Sequence, residues 1–150
     1  MGLKQQLHDD LNTALKARDE VTLATVRMAL AAVTNEEVAG TAQRELAEDE
    51  VLTVLTREAK KRREAAEAFD AAGRTELAAR ERAEGEVLAR YLPTPLTDDE
   101  LATMVRQAVT ETGADSPRQM GLVMKALQQQ VNGRADGKRV SDAVRAALSS

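Results

Sequence analysis

A chain of 150 residues with 31% charged side chains, a net charge of −4 and a 1% aromatic share must build its core from Leu, Val, Ala and Met, which favours helix packing over sheets or barrels. The absence of cysteine excludes disulfides, thiolate metal sites and thiol nucleophiles, and nothing points to an oxidising compartment. No stretch approaches the ~20 apolar residues of a membrane span and residues 1–8 lack the apolar run of a signal peptide, so a soluble cytoplasmic protein is expected.

Leu3, Leu7, Leu11 and Leu15 recur every four residues and predict a first helix over residues 3–17. The N-terminal Gly2 does not make a myristoylation signal, because Gln6 stands where that motif requires Ser or Thr. Leu23, Val26, Leu30 and Val33 predict a second helix over residues 20–38, with Gly40 suited to the left-handed geometry that closes a helix. A long third helix is expected over residues 48–72, with Leu52, Leu55, Ala59, Ala66 and Phe69 on one face and Gly73 as its stop. Thr75 is a plausible cap for a fourth helix carrying Leu77, Leu88 and Tyr91. Its apolar stripe is interrupted by Arg80, Glu81 and Glu84, which suggests a solvated face or a contact surface, and Gly85 in its interior points to a close helix approach or a bend.

Pro93 and Pro95 remove backbone donors and push the residues before them out of helical geometry, so the chain is expected to divide into units 1–92 and 96–150. The second begins with a capping box, Thr97 with Glu100, and continues with Leu101, Met104, Val105 and Ala108 up to Gly113. Ser116, Pro117 and Gln119 repeat that start signal ahead of Met120, Val123, Met124, Leu127 and Val131. Asn132-Gly133 stops this helix, Asp136 caps the next, and Val140, Ala143, Val144, Ala147 and Leu148 supply its buried face. The fold class is therefore all-α: about four helices, one of them long, followed by a small three-helix bundle.

Few residues offer chemistry. The single histidine, His8, reads as an ordinary surface residue, and no nucleophile elbow, glycine-rich phosphate loop or histidine cluster occurs. Neighbouring carboxylates such as Asp9-Asp10 and Glu36-Glu37 point about 100° apart on a helix and cannot converge on one atom. No catalytic residue, metal site or cofactor is expected. Arg27 falls between Leu23 and Leu30 on an apolar stripe, where an ion pair with a carboxylate of the third helix is expected because unpaired buried charge is costly, with a ligand contact as the alternative. Lys60-Lys61-Arg62-Arg63 spreads over about 300° of a helix and reads as a solvated face salt-bridged to Glu58, Glu64 and Glu67 rather than as a phosphate contact, which is the alternative. From Arg118 onward six basic residues, Arg118, Lys125, Arg134, Lys138, Arg139 and Arg145, face only Asp136 and Asp142, a net +4 that leaves −8 for the rest. Within it, Arg134, Lys138 and Arg139 surround a helix start whose free N–H groups attract anions. Asp136 would occupy the same donors as a cap, so sequence physics alone favours a purely structural turn over an anion site, caps being the commoner.

The run Met120-Gly121-Leu122-Val123-Met124, followed by Val131-Asn132-Gly133-Arg134-Ala135-Asp136-Gly137-Lys138 and Val144-Arg145, resembles the signature of the GatB/YqeY family. Arg27-Met28-Ala29-Leu30, Asn35-Glu36-Glu37, Lys60-Lys61-Arg62-Arg63-Glu64 and Tyr91-Leu92-Pro93 are similar to its YqeY-like branch, and Ala47 departs from it where Ser or Thr would precede the third helix. The resemblance implies a helical amino-terminal unit and a three-helix carboxy-terminal unit. It also implies kinship with the helical tail of the B subunit of the tRNA-dependent amidotransferase, an appendage that helps engage tRNA while a separate cradle performs the chemistry. The cradle has no counterpart here, so a carbon–nitrogen ligase label would be inherited from the larger enzyme. The expectation is an accessory protein that contacts tRNA, or an amidotransferase/aminoacyl-tRNA complex, through Lys125, Arg134, Gly137, Lys138, Arg139 and Arg145. The rival reading is a protein-interaction module whose interrupted fourth helix and acidic amino-terminal unit dock a partner.

Overall fold

The computed structural model describes residues 2–149 and is all-helical. Seven α-helices occur among the described residues: α1 (Leu3–Ala17), α2 (Glu20–Val38), α3 (Glu48–Ala71), α4 (Thr75–Ala89), α5 (Asp98–Thr112), α6 (Met120–Val131) and α7 (Gly137–Ser149). A 3-10 turn, Pro117–Gln119, leads into α6. The chain divides into two compact units between Leu92 and Pro93.

In the first unit α1 pairs with α2 and α3 with α4. Leu7, Val26, Val33, Val51, Leu55 and Leu88 are fully or almost fully buried, and each such side chain contributes about 1.5–3 kcal/mol by leaving water. The leucine stripe of α1 does not stay inside along its length: Leu15 is 48% exposed and Ala14 takes its place. Four-residue steps overshoot the 3.6-residue turn by about 40° each, so three steps carry the stripe about a third of the way round. On α2 the buried face is centred on Thr22, Thr25, Val26, Ala29 and Val33. The hydroxyl of fully buried Thr25 donates to the Val21 carbonyl at 2.7 Å, which satisfies it.

Two expected helix ends differ. Arg74, not Thr75, occupies the cap position of α4, and Thr75 is its first helical residue. Gly40 is not among the glycines with positive φ, and α2 runs into a right-handed Ala39. The α2–α3 connection is closed instead by Glu37, whose carbonyl accepts from the Arg44 N–H at 3.1 Å. The Glu37 carboxylate accepts from the Leu46 N–H at 3.0 Å and from Lys4 Nζ at 3.0 and 3.1 Å. Ala47 has no side-chain oxygen for a capping box, but Glu50 still reaches back to its N–H at 3.1 Å, and Arg44 grips Glu50 at 2.5 and 2.9 Å. Tyr91 is buried and its hydroxyl donates to Asp10; burial, and then that contact, push the phenol above its usual range.

The buried cation is Arg62 rather than Arg27. Arg27 is exposed and makes no ion pair among the described residues, because the inward face of α2 lies on the Val26–Ala29 side and Leu23 and Leu30 only flank it. Arg62 of α3 is 12% exposed and lies 3.5 Å from Glu58, 3.6 Å from Glu81 and 3.2 Å from Glu84, with Met28 of α2 against its guanidinium. Lys61 and Arg80 pair with Glu58 and Glu84 at 3.3 and 3.4 Å and offset the surplus negative charge. The carboxylates that interrupt the stripe of α4 thus face α3, and Leu77, 41% exposed, turns outward while Ala78 is buried. Gly85 faces α3 at this level but is not required by a close approach: a Cβ there would sit 3.8 Å from the Arg62 Cβ, in ordinary contact.

In the second unit Leu101, Val105, Val123, Leu127, Val140 and Val144 form the centre of the core. The capping box of α5 is complete: Thr97 Oγ1 accepts from the Glu100 N–H and Glu100 Oε1 from the Thr97 N–H, both at 3.1 Å. Gly113, with φ 70, supplies the left-handed residue that ends α5. Pro117 starts the 3-10 turn, and the Gln119 side chain accepts from the Asp115 and Ser116 N–H groups.

Two outcomes are expected. The Leu46 N–H bond and Lys4 hold the Glu37 carboxyl below its usual range, and Arg44 with the Ala47 N–H holds Glu50 down to about 2. Groups with lowered pKa stabilise the fold fully above the unfolded value and lose that contribution as pH falls toward the folded one. Thermal melts should therefore show the first unit weakening steadily below pH ~4.5; a melting temperature constant down to pH ~3 would contradict this. Replacing Arg62 by Met leaves Glu81 without a cation at the α3–α4 interface and should cost about 3 kcal/mol in urea unfolding, against less than ~1 kcal/mol if the cluster were merely solvated.

Candidate functional site

The cationic segment begins where α6 ends. Asn132 follows the last helical residue, and Gly133, with φ 78, reverses the chain so that the Arg134 and Ala135 N–H groups return to the Val131 carbonyl at 2.9 and 3.2 Å. That reversal delivers Arg134 to the chain entering α5. Its carbonyl accepts from the Leu96 N–H at 2.8 Å, its Nε donates to the Thr94 carbonyl at 2.9 Å, and an Nη stands 3.8 Å from Glu100 Oε2. The Thr97 N–H, the Thr97 side chain and the Arg134 charge together hold the Glu100 carboxyl below its usual range.

Asp136 caps α7 by accepting from the Arg139 N–H at 2.9 Å. One of the donors that could have received an anion is thereby occupied, as the structural reading of this turn requires. Gly137, the first residue of α7, stands open, with no atom within 4 Å of where a Cβ would lie. The Arg139 guanidinium donates to Asp98 Oδ1 at 2.7 Å, and the Asp98 side chain is 97% exposed. Lys138 is exposed and its ammonium has no ion pair or hydrogen bond among the described residues.

Arg134 and Arg139 are thus gathered on the first turn of α5, with Lys138 beside Arg139 on α7. The other two cations are not drawn in. Arg145 pairs with Asp142 at 3.2 Å, two turns beyond Lys138 on the same face of α7, and Lys125 is exposed on α6 without an ion pair among the described residues. The partners Asp98 and Glu100 carry no local mark of this role, because each lies more than thirty positions from its arginine in the sequence. They also change the charge balance. Residues 93–117 contain Asp98, Asp99, Glu100, Glu111 and Asp115 against Arg106, a net −4 that cancels the +4 of the following segment.

The remaining motif residues scatter. Asn35 and Glu36 are exposed on α2, with Glu36 3.9 Å from Arg57, whereas the adjacent Glu37 is buried. Met120 and Ala135 pack at the edge of the second core, and Gly121 stands open on α6. His8 is exposed, and Lys60 lies 4.0 Å from Glu64 on the surface of α3. Among the described residues no three acidic or histidine side chains gather as a metal site, and no helix is long and apolar enough to cross a membrane.

No curated protein matches the chain. The family model described as YqeY-like protein matches residues 4–148, nearly the full length and including both the Arg27–Glu37 and the Gly133–Arg139 segments. The chain belongs to the family of YqeY-like proteins.

Proposed function

We propose that this protein is a cytoplasmic accessory factor of tRNA-dependent amidation that contacts tRNA phosphates through its second unit and leaves amide-forming chemistry to a partner enzyme. The observation that carries this reading is the meeting of Arg134 and Arg139 on the first turn of α5 within the family motif, with the neighbouring Lys138 exposed and without an ion pair among the described residues. Arginine forks match phosphate oxygens in pairs, and a lysine acts as a mobile point charge, so the set suits a sugar–phosphate backbone rather than base edges. Lys125 on α6 and Arg145 on α7 stand apart from this set and would add phosphate contacts of their own. Because the second unit is neutral overall, with seven basic and seven acidic residues, the contact is modest in strength and strongly salt-dependent. The rival reading, a protein-interaction module docking a partner through α4 and the acidic first unit, has less charge to offer on α4, where Glu81 and Glu84 are engaged by Arg62.

Titration of tRNA between ~50 and ~200 mM salt tests the proposal. Each phosphate contact contributes about 0.9 to the slope of log affinity against log salt, so Arg134→Ala/Lys138→Ala should weaken binding and flatten the slope by nearly two units. Salt-insensitive binding, equal for the native chain and the variant, would remove it.

A further inference from the structure

The arginines assigned to phosphate already hold acceptors. Arg139 donates to Asp98 at 2.7 Å, Arg134 lies 3.8 Å from Glu100, and Arg134 Nε is fixed on the Thr94 carbonyl at 2.9 Å. All three acceptors fall within residues 94–100, the approach to α5 and its first turn. The two charged ones are acidic, in a segment whose net −4 equals the +4 opposite it.

We propose that the first turn of α5 is an internal anion, in which the carboxylates of Asp98 and Glu100 occupy Arg139 and Arg134 in place of RNA phosphate and hold the second unit in a self-neutralised, autoinhibited state. The proposal rests on the tRNA reading above and adds its regulation. A carboxylate presents the same planar pair of acceptor oxygens to a guanidinium as a phosphate edge does, so the two compete for one fork. The competitor is built to be displaced. Asp98 is 97% exposed and is held at its carboxylate by Arg139 alone. Glu100 uses Oε1 for the cap of α5 and turns only Oε2 toward Arg134, beyond hydrogen-bond distance, so a phosphate can take Arg134 without uncapping the helix. Lys138, with no ion pair or side-chain hydrogen bond among the described residues, is left to make the first contact.

The test compares tRNA-transcript binding by the native chain, Asp98→Asn/Glu100→Gln, and a control, Glu111→Gln/Asp115→Asn. The control changes net charge equally on exposed carboxylates that pair with none of these cations. Glutamine at position 100 can keep the cap, and Asp98→Asn alone leaves the cap untouched as a second variant; a circular-dichroism melt verifies both folds. Releasing two exposed pairs should tighten binding roughly three- to thirtyfold at low salt, with the single variant giving about half the logarithmic gain and the control less than about twofold. Equal gains in the double variant and the control would reduce the effect to bulk charge and overturn the internal anion. So would native-like affinity in Asp98→Asn/Glu100→Gln while the native chain still binds, which leaves the tRNA reading standing. Absence of binding by all the proteins would remove both.

Discussion

A guanidinium brought to a helix interface must find a carboxylate, and this protein meets that demand from within its own chain. In the first unit Arg62 gathers Glu58, Glu81 and Glu84, and so ties α3 to α4. In the second, Arg134 and Arg139 rest on the first turn of α5. The two clusters differ in burial, and burial decides what each can do. At 12% exposure Arg62 cannot leave without stranding Glu81 in a poorly solvated interface, so its role is architectural. The pairs on α5 are open to water, where an ion pair is worth at most about 1 kcal/mol, so they can be exchanged for a stronger anion.

The aliphatic composition sets the scale of these interfaces. With Phe69 and Tyr91 as the only Phe, Trp or Tyr residues, the cores are filled by valine, leucine and alanine. Several polar groups caught in the cores are individually satisfied, Thr25 by the carbonyl a turn earlier, Glu37 by Leu46 and Lys4, and Tyr91 by Asp10, whereas Arg62 Nε and Glu81 Oε2 are buried without a hydrogen bond and are held by charge alone. Glu37 also orders the connection between α2 and α3, a stretch with no apolar repeat of its own, by binding it through both carbonyl and carboxylate.

Helix extents were readable because their causes are local. The Thr97–Glu100 box, the Asp136 cap and Gly113 each act within a few residues, and α1, α2 and α5 lie where their periodicity and caps place them. Which face turns inward was less legible, because it depends on neighbouring helices. Leu15 drifts off the buried stripe, and the inward arginine is Arg62 although Arg27 sits between two leucines. The cationic segment was visible as composition, but its partners were not, since Asp98 meets Arg139 across 41 positions and only tertiary packing joins them. A run of net +4 therefore resembled a free patch while the fold had supplied its counter-charge.

What the protein offers a partner is then the charge left over once its internal pairs are made, together with the charge those pairs can release. Amide chemical-shift mapping during titration with tRNA tests this most directly, because it locates the contact without altering any side chain. The account predicts that perturbations concentrate in residues 133–139 and in the first turn of α5, at residues 97–100, as Arg134 and Arg139 change partners. Perturbations centred instead on residues 57–63 of α3, with residues 133–139 unmoved, would contradict it.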